Sequence, residues 1–317
     1  PLPTDVHSSV IGMAVGYKLE TYKRFVGSLR GNGLRGYIHL GIEWNATNEI
    51  QHYLASMHVT MHPIRWVECT YPYKSQCAAH YPDLKVRWSR YHLALDWLED
   101  CSLCTGPVLL TDVRDVLFQG NPFDKGVKGL QLYAEHPYQT IQHRITKKSL
   151  RKCFPSLQVD PLPMICSGTT MGTRGVMMAY LEAMKSELND WTNRNEHCRR
   201  VNHPGGDQAI HNYLYYYQRD TLPSQTRVFG YRDPSSAIAT VGVWAKVLER
   251  DLFDNTSASQ MQWDGLIKYN VTNTVGAFVQ SDGVTEPALV HQYDRFRWLS
   301  YEPWIEMIKE RQLKTAV

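Results

Sequence analysis

The sequence predicts an α/β fold, a mainly parallel central sheet flanked by helices and built as a single domain. Three observations carry this. Strand-like apolar segments and amphipathic helical segments alternate from the first residues onward. An uninterrupted apolar run, Val108-Leu109-Leu110, follows Gly106-Pro107, as interior strands of parallel sheets do. The 317 residues contain no internal repeat, low-complexity tract or Gly/Ser linker that would divide them.

Residues 9–17 are small and apolar and read as a first strand ending at Gly16. Residues 19–29 carry a helical pattern with Tyr22, Phe25, Val26 and Leu29 on one face, and Gly31-Asn32-Gly33 stops it. A second strand at 36–40 completes a β-α-β unit. A helix at 50–58 and a strand at 59–67 follow, and residues 70–83, rich in Pro, Tyr and Lys, read as a loop. From Leu84 a strong helix begins, with Trp88, Tyr91, Leu95 and Leu98 in its apolar stripe. Arg87 and Arg90, three apart, are neighbours on another face, which is either a solvated basic face or one that reaches a phosphate.

After the apolar run at 108–111, residues 129–135 form another strand, and 137–163 are irregular apart from a short helix at 147–153. A Gly-rich turn over 164–175 leads into a helix carrying Val176, Tyr180, Met184 and Leu188 on one face. Gly205-Gly206 opens a further helix with Asp207 at its start, where aspartate ordinarily caps the backbone. The tail holds short strands, the segment 288–294, and a terminal helix from about Glu302.

Composition excludes several classes. A chain with 43% hydrophobic and 21% charged residues is not disordered. A net charge of +3 with no Lys/Arg block argues against a nucleic-acid surface. No segment has the apolar length of a membrane span and no signal peptide is present. Because the chain opens at Pro1 without Met, we expect a trimmed chain, with any type II membrane anchor lying upstream. The 19 Tyr and 9 Trp are more simply an aromatic-rich core than a sugar-binding lining. Seven cysteines, an odd number, leave at least one without an internal partner. Cys101-Ser-Leu-Cys104 lacks the further ligands of a zinc site, so disulfides or buried thiols are expected. Three N-glycosylation triplets, at Asn45, Asn255 and Asn270, lean with the cysteines toward a secretory lumen.

Hydrophobicity does not explain Asp112 and Asp115, which stand between two apolar runs in Thr111-Asp112-Val113-Arg114-Asp115-Val116-Leu117-Phe118. Carboxylates at the C-terminal edge of an interior strand lie where open α/β sheets bind ligands. They can hold a divalent cation, and the cation a diphosphate. In sequence order come this acidic pair, Cys166-Ser167-Gly168, Asp207-Gln208 and His291 after a late strand.

Together these features resemble the glycosyltransferases of the GT-A fold over most of the chain, with a motif order similar to glycogenin-like and plant cell-wall xylosyltransferase-like members. In that superfamily an acidic DxD motif ends a central strand and holds Mn²⁺ against a nucleotide-sugar diphosphate. Here two residues, not one, separate the carboxylates, and Cys166 stands where those members carry Asn. The resemblance implies a metal site of Asp112, Asp115 and His291 for Mn²⁺ (or Mg²⁺), with Asp112 bound directly or through water. It implies that Ala14, Val15 and Tyr17 lie along the donor's base and ribose, and that Arg90 touches phosphate or donor. Asp112 and Arg114 would border the diphosphate, Arg114 being able to bind phosphate itself. Gly168 and Thr169 would pass close to the donor sugar. Asp207, with Gln208, would stand at the reacting carbon, orienting the sugar in a retaining enzyme or acting as general base in an inverting one, retention being favoured.

The implied partners are a nucleotide-sugar donor, most simply a UDP-sugar, and a glycan or glycoprotein acceptor in the Golgi. Residues 1–128 would form the nucleotide-binding half and 129–317 the acceptor-binding half of one domain. Two alternatives from other classes are a sugar-nucleotide nucleotidyltransferase and a non-catalytic carbohydrate-binding relative. The first would need a Gly-rich basic loop near the first strand, where Gly12-Met13-Ala14-Val15-Gly16 is apolar.

Overall fold

A computed structural model describes residues 6–70, 76–137, 139–199, 206–242, 267–270 and 273–295. The Gly205 side of the turn before Asp207, the sequons at Asn255 and Asn270-Val271-Thr272, and the expected helix from Glu302 fall wholly or partly outside these residues.

In chain order the first half comprises β1 (Ser9–Met13), α1 (Leu19–Gly31), β2 (Tyr37–Glu43), α2 (Asn48–Ser56), β3 (Val59–Ile64), β4 (Trp66–Glu68), β5 (Gln76–Ala78), α3 (Val86–Asp100), β6 (Val108–Thr111) and β7 (Val116–Phe118). Then come β8 (Leu130–Ala134), α4 (Arg144–Cys153), β9 (Ile165–Gly172), α5 (Arg174–Arg194), α6 (Glu196–Arg199), α7 (Gly206–Tyr217), β10 (Thr226–Phe229), β11 (Ile238–Thr240), β12 (Ile267–Asn270), β13 (Asn273–Phe278) and β14 (Leu289–His291).

The main sheet has seven strands in the order β10-β8-β9-β6-β1-β2-β3. β1, β2, β3 and β6 run parallel, as do β8 and β10, and β9 alone runs against its neighbours β6 and β8. The sheet is therefore mainly parallel, as the alternation predicts, and takes strands from both sides of position 128. A second sheet, β11-β14-β7, lies beyond the acidic turn. Period-two alternation sends Val10 and Leu109 to one face, with Tyr22, Phe25 and Leu29 of α1. Ile11 and Leu110 go to the other, with Trp88, Tyr91 and Leu98 of α3 and Tyr180 of α5. Among the described residues no helix is long and apolar enough to cross a membrane.

Three local readings need correction. The segment with Gly168 and Gly172 is not a turn but the eight-residue, fully buried β9. Its glycines mark close approach of neighbours, since a Cβ at Gly172 would meet the Gly129 carbonyl at 3.0 Å. Part of the expected 70–83 loop is a hairpin, β4 with β5, which the Cys69–Cys77 disulfide ties. The expected helix at 147–153 begins three residues earlier, at Arg144. Two more disulfides join Cys101 to Cys104 and Cys153 to Cys198, and Cys166 is the buried free thiol that the odd count requires.

Candidate active site

β6 ends with Thr111 beside Thr169 of β9, and the next N–H, that of Asp112, donates to the Gly168 carbonyl at 2.8 Å. The chain then leaves the main sheet and enters the second one at Val116, which pairs with His291 at the end of β14. The Gln292 N–H donates to the Asp115 carbonyl at 2.6 Å and fixes the late strand against the acidic turn. Gln292 adopts φ +62°, a left-handed backbone that non-glycine residues avoid and that recurs at functional sites. Register thus brings together residues that are 179 positions apart (112 and 291). Asp112, Asp115 and His291 each offer one ligand atom, and these atoms all lie within 4.8 Å of one another.

His291 is 1% exposed. Its Nδ1 lies 3.3 Å from the Cys166 sulfur, which also accepts the Gly168 N–H at 3.3 Å. Its Nε2 makes no hydrogen bond and faces Asp112 Oδ2 at 3.4 Å and Asp115 Oδ1 at 3.8 Å. Burial depresses the imidazole pKa, but the Cys166 sulfur and the two carboxylates outweigh it and hold the ring well above its ordinary value. Burial opposes ionisation of Asp112 as well, yet Arg90 and His291 keep its carboxyl below the usual carboxylate range. Asp115 is pushed the other way, by burial first and then by the like charges of Asp112 and Asp294 against the attraction of His291. Two carboxylates sharing one small space resist ionising together.

Arg90, on α3, ties the site to the start of α7. Its guanidinium reaches Asp112 Oδ1 at 2.6 Å and Asp207 Oδ2 at 3.0 Å, and donates to the Ser167 carbonyl and the Tyr91 hydroxyl at 2.7 Å each. Gln208 donates its amide to Glu135 Oε1 at 2.7 Å. Arg114 is 52% exposed and spans Asp115 Oδ2 at 3.6 Å and Asp294 Oδ2 at 3.4 Å.

A cleft of about 450 Å³ opens over these groups, within the usual range for a ligand site. Of the residues singled out in the sequence, Val15, Tyr17, Arg90, Asp112, Arg114, Asp115, Gly168, Asp207, Gln208 and His291 line it. Two do not. Ala14 is fully buried in the core, its carbonyl accepting from the Tyr22 hydroxyl, and Thr169 is fully buried within β9. Arg90 lines the cleft with four protein groups on its two Nη atoms and, among the described residues, no hydrogen bond at Nε. Arg87, Cys166 and Ser167 also line the cleft. The role of Cys166 as partner of His291 was not legible, since no local pattern announces a contact across 125 positions.

The donor set suits a hard-to-borderline divalent cation, two carboxylates and one imidazole being compatible with Mn²⁺. A buried imidazole nitrogen without a hydrogen bond, aimed at two carboxylates, is one observation for it. Gly168 is another. A Cβ there would come within 2.4 Å of His291 Cε1 and 2.7 Å of Asp112 Oδ2, so only glycine lets these two side chains pack together against β9.

No protein-family model matches this sequence, and no curated protein is similar to it. Solved structures are similar in fold. The galactosyltransferase LgtC, crystallised in complex with donor and acceptor sugar analogs, superposes with a TM-score of 0.51 at 11% identity, over 95% of each chain. An active-site mutant of LgtC superposes with a TM-score of 0.50 at 11% identity, again over 95% of each chain. At this identity the likeness is one of fold.

Proposed function

We propose that this protein is a glycosyltransferase that moves a sugar from a nucleotide-sugar donor, a UDP-sugar, to a hydroxyl of a glycan or glycoprotein. The observation that carries this reading is the convergence of Asp112, Asp115 and His291 at the C-terminal edge of the sheet. That is the edge where this class of sheet takes its ligand. LgtC, crystallised with donor and acceptor sugar analogs, has a similar fold.

Asp112, Asp115 and His291 would hold Mn²⁺ (or Mg²⁺), which when bound offsets the charge that builds on a departing diphosphate. Arg114, half exposed at the rim, adds a guanidinium suited to phosphate oxygens. Val15 and Tyr17 supply the walls for base and ribose. Gly168 lines the cleft where the donor sugar would pass, and its missing side chain makes room for His291 and Asp112. Asp207 is held by Arg90 at 3.0 Å, fixed in place rather than free to swing toward an acceptor hydroxyl. That favours the retaining role, in which it orients the donor sugar and stabilises positive charge at the reacting carbon. The apolar residues that follow β1 offer no triphosphate cradle, so a nucleotidyltransferase is the weaker reading.

Three disulfides, and the exposed turn that carries Asn45, support an oxidising secretory compartment, and we place the enzyme in the Golgi lumen. Titration calorimetry with UDP, with and without Mn²⁺, followed by a hydrolysis screen of UDP- and GDP-sugars, tests the proposal. Metal-dependent UDP binding with slow hydrolysis of a UDP-sugar is expected. Preference for a free triphosphate, or glycan binding without any nucleotide response, would sink it.

A further inference from the structure

The helix α4 has a face that the reading above does not use, and it corrects the expectation of no Lys/Arg block, since five of the nine residues 144–152 are cationic. Arg144, Lys147, Lys148, Arg151 and Lys152 border one concavity on the surface, and none of them pairs with a carboxylate among the described residues. At spacings of three and four they form a cationic stripe about 12 Å long. The opposite face is buried through Thr146, Ser149, Leu150 and Cys153. Cys153 is bonded to Cys198 of α6, and Phe154 stacks on Tyr213 of α7 with ring centroids 4.2 Å apart.

The stripe's position in the fold gives it meaning. β8 runs parallel to the main strands and ends at the site edge, whereas β9 runs against them and starts there. The excursion 135–164 that carries α4 therefore leaves from and returns to the edge that holds Asp112, Gly168 and His291. Glu135, its first residue, accepts from Gln208, and α4 packs on α7, whose second residue is Asp207.

Building on the glycosyltransferase reading, we propose that α4 docks the acceptor and that the acceptor is an anionic polysaccharide, sulfated or carboxylated. Five clustered cations cost free energy by mutual repulsion, and a polymer with regularly spaced anions relieves it while steering its own approach. A membrane is the poorer match. Helices that lie on bilayers insert an apolar face, and the apolar face of α4 is spent on the protein core, with Ile145 alone exposed.

The test uses heparin as probe, with the double variant Lys148→Glu/Arg151→Glu and the milder Lys148→Ala/Arg151→Ala as a check on folding. Heparin is expected to bind the full chain and to release as NaCl rises, and the charge-reversed variant to bind about tenfold or more weakly at an unchanged melting temperature. Heparin binding that is equal in all three proteins overturns the proposal. So does equal binding of heparin and neutral dextran, or capture by phosphatidylserine vesicles in preference to heparin. UDP-sugar hydrolysis by the unaltered protein reports separately on the active site. Its absence would sink the glycosyltransferase reading, while heparin binding still tests α4.

Discussion

Replacing Gly168 by Ala should abolish cation-dependent nucleotide binding while leaving the protein folded. The backbone at Gly168 has no positive φ, so the added methyl acts through volume alone. It would lie 2.4 Å from His291 Cε1, 2.8 Å from His291 Nε2 and 2.7 Å from Asp112 Oδ2, where ordinary contact begins at 3.4 Å. The imidazole must therefore retreat by about 1 Å, against a metal–ligand tolerance of about 0.2 Å. It has little room to do so, because Cys166 holds Nδ1 and the pairing of β14 with β7 holds the backbone. Disturbing a ligand's support typically costs about 10–100-fold in metal affinity, and displacing the ligand itself should cost at least as much. Overpacking costs about 1–3 kcal/mol in stability, a fall of several degrees in melting temperature. Calorimetric titration of Mn²⁺ in the presence of UDP reads the first effect and thermal unfolding the second. Gly175→Ala, in open space at the start of α5, is the control and should stabilise by about 0.5–1 kcal/mol. Asp115→Asn, which adds no volume, should reproduce the binding loss. Wild-type affinity for Mn²⁺ and UDP in both the Gly168→Ala and Asp115→Asn proteins would refute the assignment of this cluster.

Asp207→Asn is expected to keep UDP binding and to lower turnover by about 10²–10⁴, measured by donor hydrolysis; full activity would remove Asp207 from the chemistry. Cys166→Ala should weaken Mn²⁺ binding about 10–100-fold by releasing His291 Nδ1, and Cys166→Ser should restore most of it, which a merely space-filling cysteine would not show. Acid should destabilise the fold through His39, which is buried between the Cys104 sulfur and His62 and pushed down to about 4 by burial. Its folded pKa lies below the unfolded value of about 6.5, so its contribution is complete above pH 6.5 and is lost as pH falls toward 4. The loss amounts to about 3 kcal/mol, read as a shift in the urea midpoint between pH 7.5 and 4.5 that His39→Phe diminishes.

Much of this architecture is written locally. The β-α-β opening, the α3 stripe and the run at 108–111 follow from residue periodicity, and they locate the strand end that carries Asp112. Asp207 and His291 stand out in the sequence only through the family resemblance, since an aspartate at a helix start is ordinarily a cap, and the fold brings both to the cleft. What is not legible depends on register between distant strands. Gly168 and Gly172 look like turn residues until β9 is seen wedged between β6 and β8, where side chains would collide with neighbours. Ala14, only one residue beyond β1, points into the α1 core, and no sequence pattern separates it from Val15, which faces the cleft. Arg90 could be placed on a helix before the acidic strand, but not its double attachment to Asp112 and Asp207.

The two-residue gap between the carboxylates follows from the same joint between sheets. In a continuous strand, positions 112 and 115 would point to opposite faces. Here Asp112 is the first residue past β6, anchored to Gly168 of the main sheet, and Asp115 is the last before β7, anchored to Gln292 beside the second sheet. Val113 is 2% exposed and fills the corner, its Cγ2 occupying the space that a Cβ on Gly12 would enter at 2.5 Å. Arg114 is thereby turned out toward the cleft rim. The turn reverses the chain's facing once, so both carboxylates approach the same imidazole from different sheets. Their separation is then set by how the sheets meet, which is stiff, and not by a loop, which would not be. The chain changes sheets between its two acids, and Val113 and Arg114 span that change, one packed into the corner and the other turned to the rim.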